Sequence, residues 1–331
     1  METIQYKEKK MKTGKRKSRI GSVLANLVGK TLLVVAAFAL VGAGTAQAAL
    51  VDRFGGWSKI GDPGNANDSG GTGQGRVNYT YSIAKYEVSD DDYSDVMTGS
   101  GSGTYTPQTH ISLYDAMEFA NKLTEDEHGG SSDYNLYDLT DSDDDGELDS
   151  VTITKTRTEV VSSGELVYAI PTEDEWYKAA YGDPNGDGVF DDYSTYANAD
   201  AETPPPEGRP DADPAVDGWN YEPDDGGSSI GAQDVGFSPE EQNGTHDMMG
   251  NVWEWQEDDT GDGLVRGGGF ADTSANLRSS QNTSGYYDAT VNSRFVGFRV
   301  VAIPEPASLG LFGIVCAALW FVRRKFRDIQ S

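Results

Sequence analysis

Two acidic loops have the residue spacing of a calcium-binding loop, with oxygen-bearing side chains at positions 1, 3, 5 and 9 and glycine at position 6. The candidate ligands are Asp141, Asp143, Asp145 and Asp149 in "DSDDDGELD", and Asp183, Asn185, Asp187 and Asp191 in "DPNGDGVFDD". Alternate side chains of such a loop converge on one ion, while Gly146 or Gly188 makes the turn. Thr152 and Ser194 stand where an EF-hand has its bidentate glutamate. Weak calcium sites and ion-free acidic turns both stay open.

Thiol and imidazole groups are scarce. The chain has one cysteine, Cys316, and three histidines, His110, His128 and His246. No intrachain disulfide can form, and no thiol lies in residues 49–303, so a cysteine nucleophile or cysteine metal ligand is excluded there. His246 precedes Asp247, but adjacent side chains of an extended segment point apart. We therefore expect His246 to be a surface residue and not part of a catalytic dyad.

The charge is strongly acidic between the two ends. The whole chain has 26 Lys and Arg against 54 Asp and Glu, and residues 49–303 have 13 against 50. Such a surface repels phosphate backbones, so no nucleic-acid partner is expected. Aromatic residues make up 10% of the chain, which argues against full disorder and favours a folded domain.

Three helices and several short strands are expected, which makes an α+β fold with little regular structure. The helices begin after Ser89, Ser112 and Thr172, and Thr172 with Glu175 forms a capping box. Alternating residues predict strands in "VNYTYSIAKYEVS" and in "SRFVGFRVVAI", and a strand pair in "SVTITKTRTEVV". Residues 182–245 show almost no periodicity, and bound ions are one way to fix so long a loop. Trp253 and Trp255 point to the same side of an extended segment and can staple such loops together.

Both ends have the composition of export and sorting segments. Residues 1–48 combine a basic start, a short apolar run and "AQA", which predicts a signal peptide; a retained N-terminal anchor is the alternative. Residues 303–331 contain "PEP", about 15 apolar residues and a basic cluster, a run that is short for a spanning helix. On composition alone this is a tail anchor, and its three parts in this order resemble a PEP-CTERM sorting signal. That resemblance implies a Gram-negative-type bacterium, an exosortase that removes the tail, and delivery to the cell surface or an exopolysaccharide matrix.

Four segments of residues 78–302 resemble one enzyme superfamily. They are "IAKYEVSDDDY", "ISLYDAMEFANKL", "YAIPTEDEWYKAA" and "DMMGNVWEW" followed by "VRGGGF" and "VGFRV". This combination resembles the formylglycine-generating enzyme, or sulfatase-modifying factor, superfamily. The resemblance implies a C-type-lectin-like α+β fold for residues 78–302, with residues 49–77 as a loop segment before it.

The resemblance also allows a residue-by-residue comparison of metal sites. Formylglycine generators bind copper through two cysteines shortly after the RGG segment, and those positions fall near Asp272 and Leu277 here. Neither side chain is a soft thiolate ligand, so no copper and no formylglycine activity are expected. The family's calcium ligands fall on Asp247, Gly250, Val252 and Glu254, and a second family site suggests Asn198. Hard oxygen ligands suit calcium, although Asp247 and Glu254 could instead be solvated acids beside the tryptophans.

Together these features predict an exported, surface-sorted, calcium-stabilised domain with a binding or structural role. Its expected partners are the export machinery, an exosortase and an extracellular polysaccharide, with transient membrane contact through the C-terminal segment. The alternatives are a divergent oxidoreductase-type enzyme of the same superfamily and a plain tail-anchored protein whose acidic shell serves solubility.

Overall fold

A computed structural model describes residues 53–184, 190–191, 193, 218–221, 231–258, 263–281 and 288–303. The predicted signal peptide and nearly all of the predicted sorting segment lie outside these residues. In the described part the elements are, in chain order, β1 (Trp57–Ile60), β2 (Tyr81–Ala84), α1 (Asp90–Thr98), α2 (Leu113–Glu127), β3 (Tyr137–Thr140), β4 (Ser150–Ile153), α3 (Arg157–Ser163), β5 (Val167–Ala169), α4 (Glu173–Tyr181), β6 (Trp253–Glu257), β7 (Gly263–Arg266), β8 (Val296–Gly297) and β9 (Val301–Ile303), with short 3-10 turns at Ser132–Tyr134 and Ser274–Leu277.

Within the described residues, the strands form three small sheets. The largest has the order β1-β2-β9-β5 with antiparallel neighbours, so it joins the beginning of the domain to its end. The second is the β3–β4 hairpin. The third has the order β7-β6-β8, in which β6 runs antiparallel to β7 and parallel to β8. All of these elements lie within one compact unit, Leu50–Pro306.

The three expected helices are present with the expected caps. Ser89 caps α1, and Ser112 caps α2 in a box with Asp115. Thr172 and Glu175 form the box that begins α4, as their spacing predicts. The apolar face of α2 is buried, so this helix packs its predicted face on the core.

A fourth helix, α3, replaces part of the predicted strand pair. Ser150–Ile153 is a strand, but its partner is Tyr137–Thr140, and the residues after it turn into a helix. The Thr156 hydroxyl accepts a hydrogen bond from the backbone N–H of Glu159. In return, the Glu159 carboxylate accepts one from the backbone N–H of Thr156. This second Thr-x-x-Glu box outweighs the alternation of β-branched residues, because it satisfies two of the N–H groups that a helix start leaves unpaired.

The segment 49–77 also contributes to the sheet. Residues 57–60 form β1, and Trp57 to Ile60 pair antiparallel with Ala84 to Tyr81. The expectation that residues 49–77 are only a loop is therefore wrong for β1. Four residues at a sheet edge are too few to show a clear alternation of apolar and polar side chains.

Large aromatic side chains fill the spaces between loops and short strands. Trp176, Trp219 and Trp255 are fully buried, whereas Trp253 at the start of β6 is partly exposed. A small second cluster joins Tyr193, Trp219, Tyr221, Met249 and Leu277. No helix of the described residues is both long and apolar enough to cross a membrane.

Candidate functional site

A buried ion pair joins Glu254 of the GNVWEW segment to Arg299 of the VGFRV segment. Both side chains are 0% exposed. The Arg299 guanidinium donates from Nη2 to Glu254 Oε1 and, at 2.6 Å, from Nε to Glu254 Oε2. Glu254 Oε2 also accepts a 2.7 Å hydrogen bond from Nε1 of Trp176 in α4. The pair therefore connects β6, α4 and the segment that leads into β9.

The other donors of Arg299 are also used. Nη1 donates to the carbonyl oxygens of Ala84 and Lys85, each at 3.1 Å, and Nη2 donates to that of His246 at 3.0 Å. All five N–H groups of the guanidinium therefore have acceptors. His246 itself is half-buried, with Nδ1 2.8 Å from the carbonyl oxygen of Ser238 and its ring against Tyr86.

Asp247 organises the backbone that precedes it in sequence. It is 1% exposed, and its carboxylate accepts from the backbone N–H groups of Gly236, Phe237 and Ser238 at 2.6, 3.1 and 2.8 Å. Burial raises the pKa of Asp247, and these hydrogen bonds and the charge of Arg299 act against that rise. The possibility of a solvated acid beside the tryptophans is wrong for both Asp247 and Glu254, because each is buried.

Two further buried acids, Glu87 and Glu241, stand near this pair, and the sequence offered no signal for either. Glu87 Oε2 accepts from Asn251 at 2.6 Å, while Oε1 has no hydrogen-bond partner among the described residues. Burial, followed by the charges of Asp247 and Glu254, raises the pKa of Glu87 well above its usual range. Burial likewise raises the pKa of Glu241 to about 8. Arg299 is a cation that lowers the pKa of all three neighbours, Glu87, Glu241 and Asp247.

Of the four residues that the resemblance assigned to calcium, Asp247 and Glu254 have other partners for their carboxylates. Gly250, with φ of 82°, makes the sharp turn before β6 that the sequence predicts, and Val252 is fully buried. Glu254 neutralises Arg299, and Asp247 holds three backbone N–H groups. A calcium ion bound through Glu254 would have to displace the guanidinium, so this carboxylate does not fit the ion as it stands. Calcium at Asp247, Gly250, Val252 and Glu254 stays a prediction.

The first acidic loop has a geometry that fits a cation better. It joins β3 to β4, and carboxylate oxygens of Asp141, Asp143 and Asp149 all lie within 4.8 Å of one another. Asp141 also accepts from the N–H of Gly146 at 2.9 Å, which folds the loop back on its first ligand. Asp145 accepts from the N–H of Glu147 and is not in the group of three.

The second acidic loop is described only at its ends. Asp183 follows α4, and the backbone N–H of Asp191 donates to the carbonyl oxygen of Tyr181. Asn185, Asp187 and the suggested ligand Asn198 lie outside the described residues. Calcium at this loop and at Asn198 stays a prediction.

The two positions that the resemblance assigns to the copper cysteines, Asp272 and Leu277, have structural contacts of their own. Leu277 is fully buried in the second aromatic cluster. Asp272 Oδ2 accepts from Trp253 Nε1 at 2.7 Å and from the N–H of Gly269 at 3.0 Å. Leu277 therefore fills an apolar space, and Asp272 orients the indole ring of Trp253.

Three partly exposed aromatic residues belong to this region, and one of them, Trp253, bonds Asp272 directly. Trp253 donates its backbone N–H to the carbonyl oxygen of Phe295, and the rings of Phe295 and Phe270 are 5.4 Å apart. The guanidinium of the exposed Arg294 lies 4.5 Å from the centre of the Phe295 ring. We call Trp253, Phe270 and Phe295 the aromatic platform.

Residues 54–303 match the family model described as the sulfatase-modifying factor enzyme 1-like domain. The chain belongs to this family. The match contains every element of the described structure and begins before β1, and it confirms the formylglycine-generating-enzyme-like fold and the mixed α+β class expected from the sequence.

Several solved structures are similar to this sulfatase-modifying factor domain. "Treponema denticola variable protein 1" is 18% identical, with a TM-score of 0.49 and coverage of 75% of this chain and 95% of that one. "CarF" is 22% identical, with a TM-score of 0.48 and coverage of 74% and 97%. "PvdO from Pseudomonas aeruginosa" is 14% identical, with a TM-score of 0.41 and coverage of 75% and 91%. No curated protein matches the chain.

Proposed function

We propose that this member of the sulfatase-modifying factor family is a non-catalytic, carbohydrate-binding domain that is exported to the cell surface. The observation that carries the proposal is the aromatic platform beside Asp272. Asp272, which bonds the Trp253 indole, is one of the two positions that the resemblance assigns to the copper-binding cysteines. In this proposal the domain keeps the family fold but binds a sugar instead of carrying out a redox reaction.

The chemistry of the two aligned positions supports the non-catalytic part. Copper in its reduced state prefers soft thiolate ligands. Leu277 has no donor atom, and Asp272 already accepts two hydrogen bonds. Because residues 54–303 contain no cysteine, no neighbouring thiol can replace them.

The composition of the platform supports a sugar as the ligand. Aromatic rings present an apolar face with a polar edge, and this suits the C–H face of a pyranose. Asp272 and Arg294 stand next to the rings and offer an acceptor and donors for hydroxyl groups. The Asp272 bond to Trp253 Nε1 holds the indole in place before a ligand arrives, which lowers the entropy cost of binding.

The proposed destination rests on the two ends of the chain. Residues 1–48 have the pattern of a signal peptide, and residues 303–331 have the parts of a PEP-CTERM signal. We infer that both are removed, the tail by an exosortase, and that the acidic domain reaches the surface or its polysaccharide matrix. The mass of the protein recovered from the cell exterior tests this: a retained tail would contradict removal.

Calcium is proposed as a stabilising ion at the β3–β4 loop. The EF-hand-like spacing and the approach of Asp141, Asp143 and Asp149 support it. Without a bidentate glutamate the affinity is expected to be in the range of extracellular modules, roughly millimolar.

A binding titration tests the carbohydrate proposal. The purified protein is titrated with oligosaccharides from the exopolysaccharide of the producing cells, and affinity is compared among wild type, Trp253→Ala, Phe270→Ala and Tyr105→Ala. Tyr105 is the matched control, because it is an aromatic residue that is 57% exposed and outside the platform. We expect the two platform variants to lose about tenfold in affinity, the equivalent of roughly 1.4 kcal/mol, and the control to bind like wild type. Equal binding by all four proteins would contradict the proposal.

A further inference from the structure

A cleft of about 110 Å³ opens between the end of β1, the loop that follows it and the C-terminal turn of α4. This space admits several water molecules or a small organic group. Its lining combines cationic, acidic, amide and aromatic side chains. The residues that matter below are Lys59, Asp62, Lys178, Asp183, Phe190 and Asn243.

Lys178 is the unusual residue of this cleft. It lies in the last turn of α4 and is only 6% exposed, and its Nζ donates to the carbonyl oxygen of Asp62 at 2.7 Å. No carboxylate of the described residues forms an ion pair with it. Buried lysines are rare unless they are paired, and an ammonium group can donate three hydrogen bonds. Lys178 therefore lines the cleft with N–H donors for which the described residues provide no acceptor beyond the Asp62 carbonyl oxygen.

The surroundings of Lys178 increase the fraction of its amine that is neutral. Burial lowers the pKa of Lys178 to about 8, and the charge of Asp62 acts against this. Lys59 on β1, Asp62 in the following loop and Asp183 after α4 are the charged groups that share the cleft. With a pKa near 8, roughly a quarter of the amine is neutral at pH 7.5, compared with about 0.1% for an ordinary lysine.

We propose that this cleft is a binding site for a small carbonyl compound, an aldehyde or a ketone, which forms a reversible imine with Nζ of Lys178. Lysine amines that are activated by desolvation are the groups that form such imines in proteins. The inference is independent of the aromatic platform and of sugar binding there.

The reaction needs no oxidant or reductant. The amine lone pair attacks the carbonyl carbon, and a C–N bond forms as the carbonyl oxygen becomes a hydroxyl with one proton from the amine. The C–O bond of this carbinolamine then breaks, and the oxygen leaves as water with the second amine proton. The products are the imine and one water molecule.

Asn243 and Phe190 are suited to hold the bound compound. Asn243 uses its Nδ2 on the carbonyl oxygens of Ala179 and Gly182, at 3.0 and 2.6 Å, while its Oδ1 accepts no hydrogen bond from the described residues. That oxygen can accept from the carbinolamine hydroxyl. Phe190 adds an apolar wall for the carbon substituents.

Site-resolved reductive alkylation tests the proposal. Full-length protein is incubated with propionaldehyde and cyanoborohydride between pH 6 and 10, and peptide mass spectrometry follows Lys59, Lys85, Lys122, Lys155 and Lys178, the lysines of residues 54–303. At pH 7.5 we expect Lys178 to react at least about tenfold faster than Lys122, because burial makes the Lys178 amine easier to deprotonate. Its rate should saturate with aldehyde concentration and reach half its maximum near pH 8. Alkylation no faster than at Lys122, or a rate linear in aldehyde, would overturn the proposal.

Two variants separate a binding site from general amine reactivity. Lys178→Arg keeps a donor for the Asp62 carbonyl oxygen but cannot form an imine, and Lys122→Arg is the control on an exposed face of α2. The saturable reaction should vanish in the first variant and persist in the second. If it persists in Lys178→Arg, the site is elsewhere and the proposal fails. If Lys178→Arg does not fold, the pH profile of Lys178 in the wild-type protein decides the question alone.

Discussion

Replacing Arg299 by methionine probes the buried centre most severely. Methionine retains most of the aliphatic volume but removes the positive charge and five N–H donors. Glu254 then stays buried without its cation, and the carbonyl oxygens of Ala84, Lys85 and His246 lose a donor. We therefore expect Arg299→Met to be one of the most damaging single substitutions in the domain.

The magnitude follows from the contacts that are lost. Breaking a buried ion pair from one side costs about 3–5 kcal/mol, because the remaining charge is uncompensated. A buried acceptor that loses its last donor adds roughly 1–3 kcal/mol. The Lys85 carbonyl oxygen is not such a case, because it still accepts from the backbone N–H of His246. The sum approaches the whole stability of a typical domain, about 5–15 kcal/mol. We therefore expect Arg299→Met to lower the free energy of unfolding by at least about 4 kcal/mol, or to leave the protein unfolded at room temperature.

Urea denaturation of four proteins at pH 7 makes the test quantitative. The double variant Arg299→Met/Glu254→Met removes both charges and should recover part of the loss, because a buried pair replaced by apolar residues is often nearly neutral. Arg53→Met is the control, since its ion pair with Asp95 is exposed and worth at most about 1 kcal/mol. A loss below about 1 kcal/mol for Arg299→Met, or a double variant no better than the single one, would refute the reasoning.

Three further predictions concern protonation, calcium and the backbone. Because burial raises the pKa of Glu241 from 4.5 to about 8, the folded state binds a proton that the unfolded state releases, so stability should fall as pH rises from about 4.5 to 8. Glu241→Gln should make this fall shallower by about 1.4 kcal/mol per pH unit in thermal melts from pH 5 to 8, and an unchanged slope would contradict the assignment. Millimolar calcium should raise the melting temperature, and a chelator should reverse this rise. The rise should be smaller in Asp141→Asn. An unchanged melting temperature of the wild-type protein in calcium would exclude a site in the folded state. Gly250→Ala should destabilise the domain by at least about 1 kcal/mol in urea denaturation. The backbone of Gly250 has a φ of 82°, and the new methyl group would stand 2.4 Å from the Asn220 carbonyl oxygen. Unchanged stability would contradict this prediction and mean that the turn relaxes.

Local signals in the sequence predict much of the fold. Side-chain caps at Ser89, Ser112 and Thr172 begin helices at the expected residues, because each cap needs only groups within three positions. The same signal at Thr156 and Glu159 predicts α3, but the alternating β-branched residues before it favour a strand. The two patterns compete locally, and the capping box decides the outcome.

Long-range partners account for what the sequence does not predict. The acid Glu254 is identifiable in its motif, but its burial against Arg299 depends on a residue 45 positions away. The approach of Glu87 to Asn251 spans 164 positions. The sequence around Lys178 likewise does not distinguish it from an exposed lysine of a helix. Its burial results from the packing of α4 against the loop after β1. Periodicity and motif spacing carry no information about such contacts.

Oxidation of a sulfatase peptide tests the central claim most directly. The full-length protein is incubated in air with copper and a peptide that contains the sulfatase cysteine motif, and mass spectrometry measures conversion of the cysteine to formylglycine. With Asp272 and Leu277 in place of thiolates, we predict no conversion above that given by copper alone. Conversion that requires the protein and continues beyond one turnover would contradict the claim that this sulfatase-modifying factor domain has become a binding module.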